Sequence, residues 1–195
     1  MILHKLKEAG YEEAMLGFAL SFYDSKLPIE AFWTEEKQKR ANLKAEALAP
    51  IGGGHNKFLA AIQTWWVITA PRFWWLEFDT YKVATVSLSS STMHTLGKRL
   101  ATQEDFQAGT SQALIDAFNV ELQRYWQGGD ISRLKANLPE GYLQVRIVNL
   151  NYMTLQNMVW QRRSHRLKEW KEFVSVVKAS VDHPEFLEKK SGGKE

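Results

Sequence analysis

The run Trp65-Trp-Val-Ile-Thr-Ala-Pro-Arg-Phe-Trp-Trp75 constrains this chain more than any other segment. Two adjacent tryptophan pairs flank a single proline. Each indole brings a large apolar area and an N–H that needs an acceptor, so both pairs belong where area is buried and acceptors are close. The aromatic and β-branched content of residues 65–70 predicts a strand. Pro71 ends it, because proline has no N–H to give a sheet ladder. The same residue suits the first turn of a helix, predicted over 72–81 with Phe73, Leu76 and Phe78 on its apolar face. Neighbouring residues point to different faces. The pairs therefore read first as core or subunit packing and second as a stacking surface for a planar ligand.

Apolar periodicity organises the rest. Tyr11, Met15, Phe18, Ala19 and Phe22 recur at helical spacing and predict a helix over 9–22. A second helix is expected over 29–48, ended by Pro50 and Gly52-Gly-Gly54, and a short one over 56–63. Val83–Ser91 reads equally as strand or extended loop. Helical patterns follow near Glu104 and over 111–126, the latter with Leu114, Ala117, Phe118, Leu122 and Tyr125 on one face. Tyr142–Leu150 alternates as a strand, and 151–161 reads as a helix. A last helix is expected from Ser164, as N-cap, to Val181, with Leu167, Trp170, Phe173, Val174 and Val177 as its core face. The expected fold class is α/β, with α+β as the alternative: a single helix-rich domain around a small sheet, spanning 1–187, with a flexible polar tail over 188–195.

Composition removes whole classes of function. The chain has 195 residues, 45% hydrophobic, no cysteine and a net charge of +3. It can bury a core, so wholesale disorder is excluded. Disulfide scaffolds, thiolate zinc sites and cysteine nucleophiles are excluded too. The charged N-terminus is not a secretory signal, and no apolar run is long enough for a membrane helix, so a cytoplasmic protein without a membrane partner is expected. The net charge of +3 is too small to demand a nucleic-acid partner, and none is expected.

Four groups of residues are candidates for chemistry. Arg162, Arg163, His165, Arg166 and Lys168 form a basic cluster suited to phosphate, or else a solvated helix end. Gly52-Gly-Gly-His55 frees the backbone to approach a phosphate, or serves as a flexible turn. Ser87–His94 is dense in hydroxyls. Without a nucleophile elbow or an acid to orient His94, it favours binding over nucleophilic catalysis. His55, His94 and His165 lie too far apart for a metal site, so no metal is expected.

With these segments in view, the chain resembles the flavin-dependent thymidylate synthase (ThyX) superfamily, in particular the divergent ThyX-like proteins encoded by phages. Three segments carry the resemblance: Gly54-His55 with Phe58-Leu59 and Trp66–Pro71; Pro71–Thr85 continuing to Ser90; and Leu138-Pro139 through Asn151, Leu155 and Arg162 to His165–Phe173. The resemblance implies a homotetramer with FAD and a pyrimidine nucleotide bound between subunits, hydride coming from the flavin and carbon from a methylene-folate. Asn151, His165 and Glu169 match family positions, and Tyr81 and His55 are further cofactor or stacking contacts.

The departures shape the expectation. Thr80-Tyr81-Lys82-Val-Ala-Thr85 stands where the family has Arg-His-Arg-x-x-Ser, and Ser90-Ser-Thr-Met93 where it has Ser-x-Arg-Tyr. Leu167 replaces a glutamine and Lys171 an arginine. Lysine is a point charge without the guanidinium fork. A flavin pyrophosphate needs fixed positive charge, which Thr80, Tyr81, Thr92 and Met93 lack. The expected function is therefore binding or sequestering a small nucleotide. Arg162, Arg163, Arg166, Lys171 and Lys82 would supply charge, and Ser89, Ser90, Ser91, Thr92 and His94 would supply hydrogen bonds. The competing expectation is an active FAD-dependent methyltransferase acting on dUMP or a related nucleotide. If phage-encoded, the protein would act in the host cytoplasm.

Overall fold

The structure, a computed structural model, describes residues 1–24 and 26–189. Residues 190–195 of the expected tail lie outside the described residues. The elements run β1 (Ile2–Ala9), α1 (Tyr11–Ala19), α2 (Ile29–Phe32), α3 (Glu35–Leu48), β2 (Gln63–Pro71), α4 (Arg72–Phe78), β3 (Thr85–Ser89), α5 (Thr92–Thr95), α6 (Gln112–Trp126), α7 (Ile131–Ala136), β4 (Leu143–Asn151), α8 (Tyr152–Arg162) and α9 (Lys168–Ser180). Single 3-10 turns cover Leu20–Phe22, Lys57–Ala60, Gln103–Asp105 and Pro184–Leu187. Among the described residues the strands form one four-stranded sheet in the order β1-β2-β4-β3. β2 and β4 are antiparallel: Arg72 N–H donates to Tyr142 C=O at one end and Tyr152 N–H to Ile62 C=O at the other. This is the helix-rich arrangement around a small sheet that the sequence predicts.

Contacts divide the chain into two compact units, one of Met1–His4, Val67–Lys82 and Ser87–Val148, the other of Lys5–Trp66, Val83–Val86 and Asn149–Glu195. In the first, α6 anchors a cluster of Leu96, Phe106, Ile115, Phe118, Leu122, Leu134 and Leu138. α4 buries Trp74, Trp75 and Phe78, with ring centroids 4.9–5.2 Å apart. In the second, Trp66, Leu155, Met158, Trp170, Phe173, Val177 and Phe186 are fully or almost fully buried.

Several boundaries and faces differ from the sequence reading. The N-terminus pairs into the sheet as β1, which its mixed charges concealed. The helix expected over 29–48 breaks into α2 and α3 because the Thr34 side chain accepts the Lys37 N–H at 3.4 Å and starts a new helix. The expected 56–63 helix is only the 3-10 turn Lys57–Ala60, since Gln63 already belongs to β2. Near Glu104 a capping box closes a single 3-10 turn. In α4 the two indoles turn inward and Leu76 is 64% exposed, because burying the larger apolar groups gains more. In α6 Ile115 is buried and Leu114 exposed. α9 starts at Lys168, with Leu167 rather than Ser164 at its N-cap. Residues 83–91, open between strand and loop, contain strand β3.

Candidate functional site

The basic cluster occupies the end of α8, the turn at 163–167 and the start of α9, all in the second unit. α8 is preceded by Asn151, whose buried side chain accepts the Thr154 N–H at 2.9 Å. The family-matched asparagine therefore acts locally as a helix cap. At the other end of α8 the guanidinium of Arg162 lies 4.5 Å from the Trp170 ring centroid, and that of Arg163 lies 3.6 Å from Trp160. Arg163 also donates to the Trp160 carbonyl. Packing over an indole holds a guanidinium by cation–π attraction. His165 packs edge-on to Trp170, and its Nδ1 accepts the Leu167 N–H at 3.2 Å, tightening the turn. Arg163, Arg166, Lys168 and Lys171 are exposed, whereas Glu169 is buried in the first turn of α9. An acid there complements the positive end of the helix dipole. The turn thus gathers two arginines held over indoles together with Arg166, Lys168 and Lys171 in one short segment.

Gly52, Gly53 and Gly54 have φ of 75°, 60° and 90°, a left-handed run that side chains resist. The His55 N–H turns back onto the Gly52 carbonyl at 3.1 Å. The exposed His55 lines an open cavity of about 440 Å³ that also touches Glu13, Ser21 and Phe58.

The remaining candidates belong to the first unit. Lys82 is exposed and Tyr81 half-buried, just after α4. Ser89 ends β3. The Ser90 N–H donates to the Val145 carbonyl at 2.9 Å, and the Ser90 carbonyl accepts from Gln144 Nε2 at 3.2 Å. Ser91 stands at the N-cap position of the single turn of α5, with no side-chain cap bond, and that turn carries Thr92 and the exposed His94. Thr92 lines a cavity of about 500 Å³ together with Arg72, Ser132, Lys135 and Gln144. Arg72 and Lys135 escaped the sequence reading. Arg72 stood beside Pro71 in a quoted segment. α7 was signalled only by Asp130, which accepts the Ser132 N–H at 3.0 Å as its cap. Arg72 is held by the Leu138 carbonyl at 3.2 Å and by Glu140 at 3.4 Å. Arg146, also unanticipated, lies 4.2 Å over the Trp75 ring and pairs with Asp79 at 2.7 Å.

No family model matches the sequence, and no curated protein matches it. Solved structures do match. One is the flavin-dependent thymidylate synthase ThyX of Helicobacter pylori complexed with FAD and dUMP, at a TM-score of 0.74 and 14% identity, covering 96% of this chain and 98% of that one. The fold is ThyX-like. A second structure of Thymidylate Synthase X from the same organism, with FAD and dUMP, aligns at a TM-score of 0.74 and 13% identity over 96% and 97% of the two chains. The ThyX-like fold thus runs through nearly the whole chain while few side chains are shared. Among the described residues no group of three His, Asp or Glu side chains could hold a metal ion, and no helix is long and apolar enough to cross a membrane.

Proposed function

We propose that this ThyX-like chain binds a small nucleotide without synthesising thymidylate. The observation that carries the reading is the alignment of 96% of the chain with a protein complexed with FAD and dUMP. Support within this chain comes from the α8–α9 turn, where Arg162 and Arg163 are stacked on Trp170 and Trp160. Arg162, Arg163, Arg166 and Lys171 bind phosphate there. Lys82, the hydroxyls of Ser89–Thr92 and His94 form the donor set of the first unit. Tyr81 and His55 offer rings for stacking, and His165 and Glu169 order the turn.

A flavin fits the signature positions poorly. Thr80, Tyr81, Thr92 and Met93 carry no charge to neutralise a pyrophosphate, and the Arg146 guanidinium is already committed to Asp79. The competing reading, an active FAD-dependent methyltransferase, is favoured by the FAD in the matching structures. Titration calorimetry with dUMP, FAD and other mononucleotides separates the two. Binding of a nucleotide by a colourless protein that takes up no flavin supports the proposal, and a visible flavin spectrum overturns it in favour of the enzyme. Arg162→Ala with Arg166→Ala should weaken nucleotide binding about tenfold or more, the loss of charge-assisted hydrogen bonds, while the chain stays folded. Equal affinity removes the site assignment.

A homotetramer belongs to the same proposal. The Ser90–Val145 pairing sets Leu88 across from Ile147, two residues from Val145 and on the same side of the sheet. These three apolar side chains are 66%, 41% and 42% exposed. An apolar sheet face of this kind suits burial against another copy. Light scattering should report a tetramer, and Leu88→Asp with Ile147→Asp should lower the mass.

A further inference from the structure

Helix α3 carries a second feature that the nucleotide reading does not use. Lys37, Arg40, Ala41 and Lys44 follow the i, i+3, i+4, i+7 spacing that places them on one stripe of the helix. Ala41 is buried and has only a methyl group to fill the space beneath that stripe. A cavity of about 260 Å³ remains, floored by Phe18, Phe22 and Phe32. The rings are set by neighbours: Phe18 packs on Phe58 at 5.2 Å between centroids, and Phe32 meets Tyr23 edge-on at 5.0 Å.

Cations rim this aromatic floor. The Lys37 ammonium sits 3.9 Å from the Phe32 ring centroid, and that of Lys44 sits 4.5 Å from Phe22. Arg40 is paired with Glu36 at 2.6 Å, but among the described residues no carboxylate lines the cavity. Phe22 is 73% exposed, so a large apolar ring stands at the mouth beside positive charge. None of the residues of the α8–α9 basic turn takes part.

We infer that this cavity binds a small aromatic anion, with its ring among Phe18, Phe22 and Phe32 and its carboxylate, sulfonate or phosphate between Lys37 and Lys44. The size admits a one- or two-ring body, near the lower end of ligand pockets. An apolar body without charge forgoes the two ammonium groups, and an anion without a ring leaves the floor wet. The site needs both features in one molecule.

The probe pair is 2-naphthoate and the neutral 2-naphthamide, titrated into the full chain by calorimetry, with amide NMR shifts locating the contacts. 2-Naphthoate should bind about tenfold more tightly than the amide, as expected for charge-assisted contacts, and should shift amides of α1, α2 and α3. Lys37→Gln with Lys44→Gln changes only exposed side chains and should erase that tenfold preference. Ala41→Leu should fill the cavity and abolish binding of both probes. Absent binding, equal affinity for the two probes, shifts confined to other elements, or a preference that survives the double lysine change would each overturn the inference. So would a folded Ala41→Leu chain that binds as well as the parent. If that variant fails to fold, the lysine pair alone decides.

Discussion

Two places in this chain pass from strand to helix without a loop, and they are held in opposite ways. Pro71 ends β2 and precedes α4, while Asn151 ends β4 and precedes α8. At the first, no side chain caps the helix. The α4 N–H groups of Arg72 and Phe73 donate to the carbonyls of Tyr142 and Glu140, and the mass of Trp74, Trp75 and Phe78 holds the helix down. At the second, polar groups dominate. Asn151 caps α8. The buried Tyr152 hydroxyl donates to Glu8 at 2.5 Å and accepts the His183 N–H at 3.1 Å. One turn on, Gln156 Nε2 serves the carbonyls of Ala49, Phe186 and Glu188 at 2.8–3.0 Å, and its Oε1 accepts from Asn56. Apolar mass resists unfolding over a wide pH range. A polar network resists it only while each group keeps its partner and protonation state.

The comparison can be broken at each junction. The largest effect is expected from Trp75→Ala, which removes an indole in contact with Phe78 and Arg146 and leaves the Ala70 and Gln144 carbonyls without their donor. A loss of about 3–5 kcal/mol is expected by chemical denaturation, the usual cost of deleting a buried large aromatic side chain. A smaller loss would show that apolar mass is not what holds the first junction.

Gln156→Leu keeps volume but strands three carbonyls and the Asn56 amide, so about 2–4 kcal/mol should be lost, summed over buried groups left unpaired. A neutral result would mean that the polar junction is held by shape alone.

Tyr152→Phe sharpens the contrast through pH. Burial, and then donation to the Glu8 carboxylate, pushes the Tyr152 hydroxyl well above the ordinary tyrosine value of 10.0. A raised folded-state pKa gives stability that is complete below the unfolded value and is lost as pH climbs past it. The parent chain should therefore weaken steeply above pH 10, and the phenylalanine variant less steeply, on top of a loss of about 1–3 kcal/mol near neutrality. Parallel alkaline curves for the two chains would sink this account. Asn151→Ala should cost least, about 1 kcal/mol for a lost N-cap, read as a small shift in melting temperature.

Much of this was legible in the sequence because it rests on local rules. The Trp-rich strand, the proline and the following helix appear where the pattern puts them, as do β4, α6 and α8. Asn151 was readable as the start of a helix. What failed to show depended on partners distant in sequence. β1 is an edge strand of mixed charge whose Lys5 pairs with Asp182 at 2.5 Å and with Glu8 at 3.2 Å, so its pattern is neither cleanly apolar nor cleanly polar. The inward face of α4 was misread because periodicity ranks positions, while burial goes to the pair of indoles with the largest apolar area. Among candidate site residues the basic run was plain in the sequence. The stacking of Arg162 and Arg163 on indoles was not, and neither was the cavity shared by Arg72, Lys135 and Thr92.

The sequence by itself determined most of the helices, the strands at residues 65–70 and 142–150, and the concentration of cations near residue 165. Those follow from periodicity, side-chain area and charge, which are properties of neighbours along the chain. The tertiary structure alone decided which indole accepts which guanidinium and where Ala41 leaves space under a cationic stripe. The ThyX-like fold, which three segments of the sequence already resembled, extends in the structure over 96% of the chain at 14% identity. A fold tolerates that divergence because it needs only apolar groups of suitable volume at buried positions. A binding site needs particular atoms at particular distances, and chain folding sets those distances between residues far apart in sequence.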